Sequence, residues 1–585
     1  MIDTGYRHHA DVIAAHIAAV PGYKTLLERD GRQSVVAPGG LAMILEAAAM
    51  FAERELAPLN PVGDREGCHI EAGRVRTPTG YAEAWMRYAA DGWCGIDHPA
   101  EDGGQGLPFF VSAACHELFD RACMAFGMFD SASRGGARVL KAFAEPVFSK
   151  PWLEAFAAGR WAAAIGISEA DAGSDVGRIR TRATDNGDGS WTIDGEKMWT
   201  SFGDHDMVER IGLFVLARTP GAPAGTSGLS LFLVPNLLPD TRGGWRTNGV
   251  VIRRLEEKLG LHGSPTCVTG LEGARGWLIG EPCRGLSQLF VMLQHMRVSV
   301  AVQGLGIAEG AAATALRYAQ ERRQGGPAGE PAVPISEHAD IQRILLSSVS
   351  RIDVLRGLTF EIAARLDSIE QDMPDAERRA SSDLVQWMLP ILKAGCSQLA
   401  FDTADAAIQV LGGAGYTKEW PVEQWMRDSR MMSIAEGSSG IQGLDLLHRR
   451  LWRTGGAGLQ TFLAIARGEI GPADSVLSAP ALAVLDELEA AGAWLIDRKE
   501  SPREAEAGAT AFLELATLAA TGWIAVRLAS IETTEDPIRG RLAAAGRYWL
   551  THIGAAAGHA AAEVRGGAAR LRLFPAISAS SPALN

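Results

Sequence analysis

The strongest constraint on this chain is a change of period that happens twice. Between residues 41 and 160 the pattern is helical: LAMILEAAAMFAEREL, YAEAWMRYAA and VSAACHELFDRACMAF carry helix-forming residues with apolar positions three and four apart. PAEDGGQGLP between them reads as a loop. At 161 short β-type runs take over: AAAIGI, SWTIDG, RIGLFVLA, GLSLFLVP, GVVIRR and CVTGLEG. The Asn-Gly and Asp-Gly pairs of TDNGDGSW favour a hairpin. Residues 161–288 are therefore expected to form a small, mainly antiparallel β domain. From 289 the helical pattern returns. A long helix is followed by others over roughly 338–368, 376–411 and 438–452, a GGAG break at 455–458, and an Ala/Leu-rich tail over 459–575.

The expected fold class is α+β, in the order α–β–α–α. The segments are a leader (1–40), an N-terminal helical domain (41–160), the β domain (161–288), a second helical domain (289–455) and a helical extension (456–585). The length of 585 residues fits that number of domains at roughly 100–200 residues each. A formal net charge of −13 argues against nonspecific nucleic-acid binding, although a local basic groove can still hold a phosphorylated ligand. The seven cysteines form no CxxC pair, so neither a zinc site nor a disulfide framework is expected. The N-terminus MIDTGYRHHADVIAAH lacks the pattern of an export signal. The most apolar stretch, Thr510 to Ile531, is interrupted by Glu514 and Arg527, leaving a run well short of the ~18–20 residues a membrane span needs. A soluble, cytoplasmic protein with no transmembrane segment is expected.

Three apparent motifs do not hold up. GLGIAEG (304–310) spaces its glycines as GxGxxxG inside a helix, which suits close helix packing better than a dinucleotide loop. GGAGYTK (412–418) lacks both a third glycine and a preceding strand. Asp204-His205-Asp206 lacks metal-ligand spacing, so no metal is expected.

Four segments carry chemistry. Ile167-Ser168-Glu169-Ala170-Asp171-Ala172-Gly173-Ser174-Asp175 closes a strand and enters a turn. Its small residues leave backbone N–H groups free for a polar ring edge or a phosphate, or simply form an Asx-capped turn. Lys197-Met198-Trp199-Thr200-Ser201 offers an indole that can stack on a flat ligand or fill a core. Arg297 near the start of the long helix, and Arg322-Arg323 at its end, could neutralise a pyrophosphate or form a solvated face. The densest segment runs from Gln409 through Gly412-Gly413 to Ala435-Glu436-Gly437-Ser438. Glu436 sits between apolar Met431, Met432 and Ile434 and a helix that Ser438 can cap. Apolar burial would make its carboxylate more basic, whereas the helix N-terminus would do the opposite. By itself, a lone Glu before a helix is far more often a capping residue.

Together, ISEADAGSD, KMWTS, LGGAGY, PVEQWMRD and AEGSSGIQ, in this order and framing, resemble the acyl-CoA dehydrogenase family from about residue 41 to 452. SFGDHD, LARTPGAPAGTSGLSLFLVP, EEKLGLHGSPTCVTG and the helical tail resemble its long subgroup. The resemblance implies FAD held between the β domain and the C-terminal helices, with Glu436 removing the α-proton of an acyl-CoA as the β-hydride passes to flavin N5. It places Ile167, Ser168, Gly173, Ser174, Trp199, Ser201, Arg322, Gln409, Gly412, Gly413 and Ser438 on the cofactor, with Ser174, Arg297 and Gly437 on the substrate. Arg322 matches an arginine that reaches the FAD of a neighbouring subunit, so a homodimer is implied. So are an electron-transfer flavoprotein as acceptor and a short-chain acyl-CoA or 3-methylthiopropionyl-CoA as substrate.

The chain departs from the family pattern at ERRQGG, at Ala435 in place of a frequent Tyr, at Gly440 in place of a frequent Gln, and at Arg178. None of these removes the base. An acyl-CoA oxidase of the same fold is the alternative activity. A noncatalytic acyl-CoA-binding protein would be expected to have lost Glu436.

Overall fold

The computed structural model describes residues 9–23, 37–370, 373–533 and 535–580. Helix α1 (Ala10–Ala18) comes first, then Pro38–Phe51, Leu59–Glu66, Tyr81–Ala90, the long α2 (Phe109–Phe143) and Pro146–Ala157. The strands gather between Trp161 and Leu278, and helices resume at α3 (Gly285–Glu321). The two changes of period thus mark real changes of structure. The chain divides into two compact units, taken here in turn.

The first unit comprises Met43–Ser299 with His9. Its helical part is not wholly helical, because β1 (His69–Glu71) and β2 (Arg74–Arg76) form a hairpin. Strands of three residues are too short to show a period of two, so the sequence pattern does not reveal them. The hairpin is tied down from the β domain. Asp204 accepts hydrogen bonds from Arg74 Nε and Val75 N, both at 2.9 Å, and Asp206 accepts from Thr77 Oγ1 at 2.7 Å. The Asp-His-Asp triplet is spent on this structural join.

The main sheet is built from β3 (Trp161–Gly166), β4 (Arg182–Asp185), β5 (Trp191–Ser201), β6 (Arg210–Arg218), β7 (Leu229–Pro235), β10 (Val250–Leu255) and β11 (Thr266–Leu278). β8 (Leu237–Pro239) and β9 (Trp245–Thr247) form a separate hairpin. The order is β10-β11-β5-β4-β6-β3, with β7 paired to β11 and β6. The sheet is mainly antiparallel, as the sequence predicts, with a parallel part: β3 runs parallel to β6 from Trp161↔Arg210 to Gly166↔Val215, and β4 meets β6 in parallel at Arg182↔Arg218. RIGLFVLA, an unbroken apolar run, is compatible with such a strand. β6 is covered on both faces, as parallel strands are. Phe214 and Leu216 enter one core with Leu140, Phe156 and Met292, while Leu213 and Val215 enter a second with Ile193, Phe232 and Leu271.

The second unit takes α1 and the chain from Val300 onward. After α3 come α4 (Ala339–Glu370), α5 (Asp375–Leu411), Val422–Arg430 and the short α6 (Ser439–Leu444), which continues as a wider π turn over Asp445–Trp452. The extension adds Ala457–Ile470, Ser475–Ile496, Pro502–Glu506, α7 (Ala509–Ala529), α8 (Pro537–Gly566) and Phe574–Ser580. Gly304, in the discarded glycine motif, serves packing: a Cβ there would stand 2.5 Å from the Cys396 carbonyl oxygen of α5.

α1 shows that the leader contributes to the core. Its Ile13 and Ile17 are buried, and His16 lies 3.3 Å from Asp353 of α4. Asp353 also accepts from Arg356 and, across the bundle, from Arg541 of α8, each at 2.9 Å. Glu309 of α3 takes the same two guanidinium groups, at 2.9 Å and 3.1 Å. Leader, core and extension therefore share one buried ionic cluster. α3 and α7 are long and apolar enough to cross a membrane, yet 89% and 78% of their most apolar stretches are buried within the protein, as core helices are.

Candidate active site

In the first unit, the site residues are set by a buried lysine. Lys197 of β5 has no exposed surface, and its Nζ donates to the carbonyls of Ile167 (3.1 Å) and Leu216 (2.8 Å) and to the Glu169 carboxylate (2.8 Å). Burial brings the Lys197 ammonium down to about 8, with Glu169 opposing the fall. Glu169 in turn accepts from Arg180 N (2.7 Å) and Thr181 Oγ1 (2.6 Å), and Ser168 O accepts from Met198 N at 2.8 Å. The loop after β3 is thus pinned to β5, which brings Ile167 and Ser168 beside the KMWTS segment.

That segment is strand, the last five residues of β5. Against β11, Cys267 pairs with Thr200 but Thr269 pairs with Lys197, so β5 carries one extra residue there. This is a β-bulge, and Trp199 occupies it at φ +59 with 57% of its surface exposed. The extra residue turns the indole out of the alternation that would otherwise bury it or point it along the sheet. Ser201 follows, half-buried and paired with Thr266, and Phe202 beyond it is buried against Phe129 at 4.9 Å. Gly173 and Ser174 are exposed on the same loop, just before Asp175, which caps Gly177 N. Arg297 is buried well inside α3 rather than near its start, a correction to the sequence expectation.

In the second unit, Arg322 follows the end of α3 and is exposed. The Gly/Pro-rich loop after it closes on itself, with Gln324 N donating to Val333 O at 2.9 Å and Ile335 N donating to Arg322 O at 2.8 Å. Gln409 is exposed on the last turn of α5. Gly412 at φ +61 ends that helix, and neither Gly412 nor Gly413 has any atom within 4 Å of where a Cβ would stand.

Glu436 has the more unusual backbone. It stands at φ +54, followed by Gly437 at φ +86. A left-handed non-glycine residue costs roughly 1–2 kcal/mol and persists only where its surroundings impose it. Here Lys393 Nζ, fully buried on α5, donates to Met432 O (2.7 Å) and Gly437 O (2.9 Å). Gln442 Nε2 donates to Glu436 O (3.0 Å) and Gly437 O (3.1 Å), and Ser397 Oγ to Met432 O (3.1 Å). Glu436 is exposed and Ile434 beside it is 59% exposed, so the apolar burial expected from sequence does not act on the carboxylate. Ser438 takes the N-cap position of α6 through its carbonyl, which accepts Gln442 N at 2.9 Å, and makes no side-chain cap.

Lys393 and Gln442 were missed as site residues. The available signal was a lysine inside the apolar run LVQWMLPILKAGCSQLAF. A buried ammonium needs carbonyl or carboxylate partners, and only the fold shows where they come from.

These residues fit FAD. An exposed indole with hydroxyls and backbone amides beside it suits a flat ring with a polar edge. An open Gly-Gly turn with an exposed guanidinium and amide elsewhere suits a pyrophosphate and its nucleoside.

Comparison with known proteins agrees along the chain. The acyl-CoA dehydrogenase N-terminal, middle and C-terminal domains match residues 41–160, 164–273 and 284–451. 3-Methylmercaptopropionyl-CoA dehydrogenase of Ruegeria pomeroyi is 37% identical over 82% of this chain and 83% of its own. A broad-specificity linear acyl-CoA dehydrogenase of Mycobacterium tuberculosis is 33% identical over 66% of this chain and 65% of its own. The crystal structure of an acyl-CoA dehydrogenase complexed with FAD from Bacillus anthracis has a TM-score of 0.75, covering 92% of this chain and 90% of that one at 20% identity, which bears on fold. With all three domains matched and identity above a third sustained along most of both chains, the protein belongs to the acyl-CoA dehydrogenase family of FAD-dependent oxidoreductases, which dehydrogenate acyl-CoA thioesters.

Proposed function

We propose that this enzyme converts a short-chain or thioether-bearing acyl-CoA, 3-methylmercaptopropionyl-CoA foremost, to its trans-2-enoyl-CoA, with Glu436 as the base and an electron-transfer flavoprotein as the electron acceptor. The observation that carries this reading is the backbone of Glu436. A carboxylate at φ +54, on a loop whose carbonyls are held by buried Lys393 and Gln442, is a side chain fixed in direction at a cost in strain. The choice of substrate is supported by the 37% identity to the Ruegeria enzyme.

Bound FAD supplies the hydride acceptor. Glu436 takes the α-proton onto its carboxylate, and its backbone N–H donates to the thioester carbonyl, stabilising the charge that develops there. Because Glu436 is exposed in the chain itself, the acyl group must exclude water before the carboxylate becomes an effective base. Ile167, Ser168, Gly173, Trp199 and Ser201 are assigned to the flavin, and Arg322, Gln409, Gly412, Gly413 and Ser438 to the rest of the cofactor. Ser174, Arg297 and Gly437 are assigned to the substrate, with Ser174 also near a phosphate. Arg322 is assigned to the cofactor of a second copy, which makes the active form a homodimer.

The purified protein should be yellow, and anaerobic addition of 3-methylmercaptopropionyl-CoA or butyryl-CoA should bleach the flavin band. Glu436→Gln should keep FAD and acyl-CoA binding but bleach at least about a hundredfold more slowly. Retained bleaching would remove Glu436 as the base. Rapid peroxide formation in air without an added acceptor would replace the flavoprotein partner with oxygen.

A further inference from the structure

We propose that the C-terminal extension sets the geometry of the Glu436 loop, acting through Gln442 and Lys393 as positioning residues; this rests on the assignment of Glu436 as base. Gln442 and Lys393 come from different helices, α6 and α5, yet converge on one carbonyl, that of Gly437. The direction of the Glu436 side chain therefore depends on the spacing between those two helices.

α7 of the extension backs both. Gly443, next to Gln442, faces the start of α7: a Cβ there would stand 2.9 Å from Ala509 O and 3.2 Å from Thr510 N. Gly395, two residues beyond Lys393, faces Thr517, whose Cγ2 would lie 3.1 Å from an added Cβ. On α5 itself, the buried Trp387 meets Phe512 of α7 edge-on at 6.1 Å. Just after α6, His448 pairs with Glu506 at 3.0 Å, and Trp452 Nε1 donates to Leu495 O at 3.1 Å. The contacts at Gly443 are with backbone atoms, which cannot move aside as a flexible side chain can.

The Gln442 bonds leave little room for displacement. At 3.0 Å and 3.1 Å they are ordinary N–H···O bonds, and a shift of α6 that lengthens them by about half an ångström takes them out of hydrogen-bonding range. Losing them removes the support that Gln442 gives to the left-handed turn, and the carboxylate loses its fixed direction. The extension thus works on the site from behind, through α5 and α6.

The test uses full-length, FAD-loaded wild type, Gly443→Ala, Gln442→Met, the double variant and Glu436→Gln. Anaerobic flavin bleaching is followed across pH, with straight-chain acyl-CoAs and 3-methylmercaptopropionyl-CoA as probes. Gly443→Ala and Gln442→Met should each slow bleaching about tenfold to a hundredfold and displace its pH midpoint, with FAD content and KM near wild type. The double variant should be no slower than the slower single variant, because both act on one device. A wild-type rate and pH midpoint in Gly443→Ala, or multiplicative effects in the double variant, would overturn the proposal. If Gly443→Ala does not fold, Gln442→Met decides through the same pH midpoint, since it removes the donor and keeps the bulk. Failure of the base assignment shows separately, as retained bleaching in Glu436→Gln.

Discussion

The ammonium of Lys197 lies 2.8 Å from the Glu169 carboxylate, and Lys197 is fully buried. The same ammonium binds the Ile167 carbonyl, so one cation joins the strand bearing Trp199 to the loop bearing Ser168. Removing it leaves a largely buried carboxylate without its counter-charge, which costs about 3 kcal/mol. Lys197→Met should therefore lower the stability measured by urea unfolding and, because the loop is released, weaken FAD binding at least about tenfold (~1.4 kcal/mol) in fluorescence titrations. Wild-type FAD affinity in the variant would show that the pair does not hold the loop.

Arg541 provides a second test, far along the chain. Burial alone would raise the Asp353 carboxyl, but Arg541, then His16 and Arg356, hold it down at about 2. A carboxylate depressed in this way adds stability that is fully present above its unfolded value of about 3.9 and is lost as pH falls toward 2. Arg541→Met leaves Asp353 and Glu309 with Arg356 as their remaining guanidinium, so about 3 kcal/mol should be lost near neutral pH. A change under about 0.5 kcal/mol in urea unfolding would show that the extension is not held by this cluster.

The order of helices and strands was legible because long elements repeat their period many times. α5 and β6 stand where the pattern puts them, while α2 and β5 run on past their sequence patterns. Three kinds of feature were not legible. The β1–β2 hairpin is too short to have a period. The parallel pairing of β3 with β6 depends on where a connection crosses, which no local residue encodes. The conformations of Trp199 and Glu436 arise from partners distant in sequence: a bulge against β11, and donors on α5 and α6. The motifs marked the candidate site residues, but only tertiary structure shows what points them.

His205 predicts an acid limit on stability. Burial brings its imidazole down to about 3, with Asp206 raising it and Arg74 lowering it further. Its ring packs edge-on against Phe129 at 4.6 Å. The unfolded chain binds this proton near 6.5 and the folded one only near 3, so between those values stability falls as pH falls, by up to ~1.4 kcal/mol per unit. His205→Asn, which keeps an acceptor for Met207 N, should flatten the decline between pH 6.5 and 5 by about 1.6 kcal/mol in urea unfolding at the two pH values. An unchanged slope would mean that the imidazole is not held neutral.

Gly304 separates a packing glycine from a solvent-exposed one. A methyl added at Gly304 would meet the Cys396 carbonyl oxygen at 2.5 Å and carbon at 2.9 Å, so α3 and α5 would have to part. Helix propensity favours alanine over glycine by about 1 kcal/mol, yet overpacking against backbone costs about 1–3 kcal/mol. At Gly304 the second effect should win, and Gly304→Ala should lose about 1–2 kcal/mol in urea unfolding. Gly554, on the exposed face of α8 with nothing within 4 Å, provides the control. There the propensity acts alone, and Gly554→Ala should gain up to about 1 kcal/mol. Cys396 also sits beside Ser397, whose hydroxyl holds the Met432 carbonyl with Lys393, so parting the helices should slow flavin bleaching in Gly304→Ala and leave Gly554→Ala at the wild-type rate. Equal stability changes in the two variants would show that α3 and α5 do not approach as closely as the glycine allows.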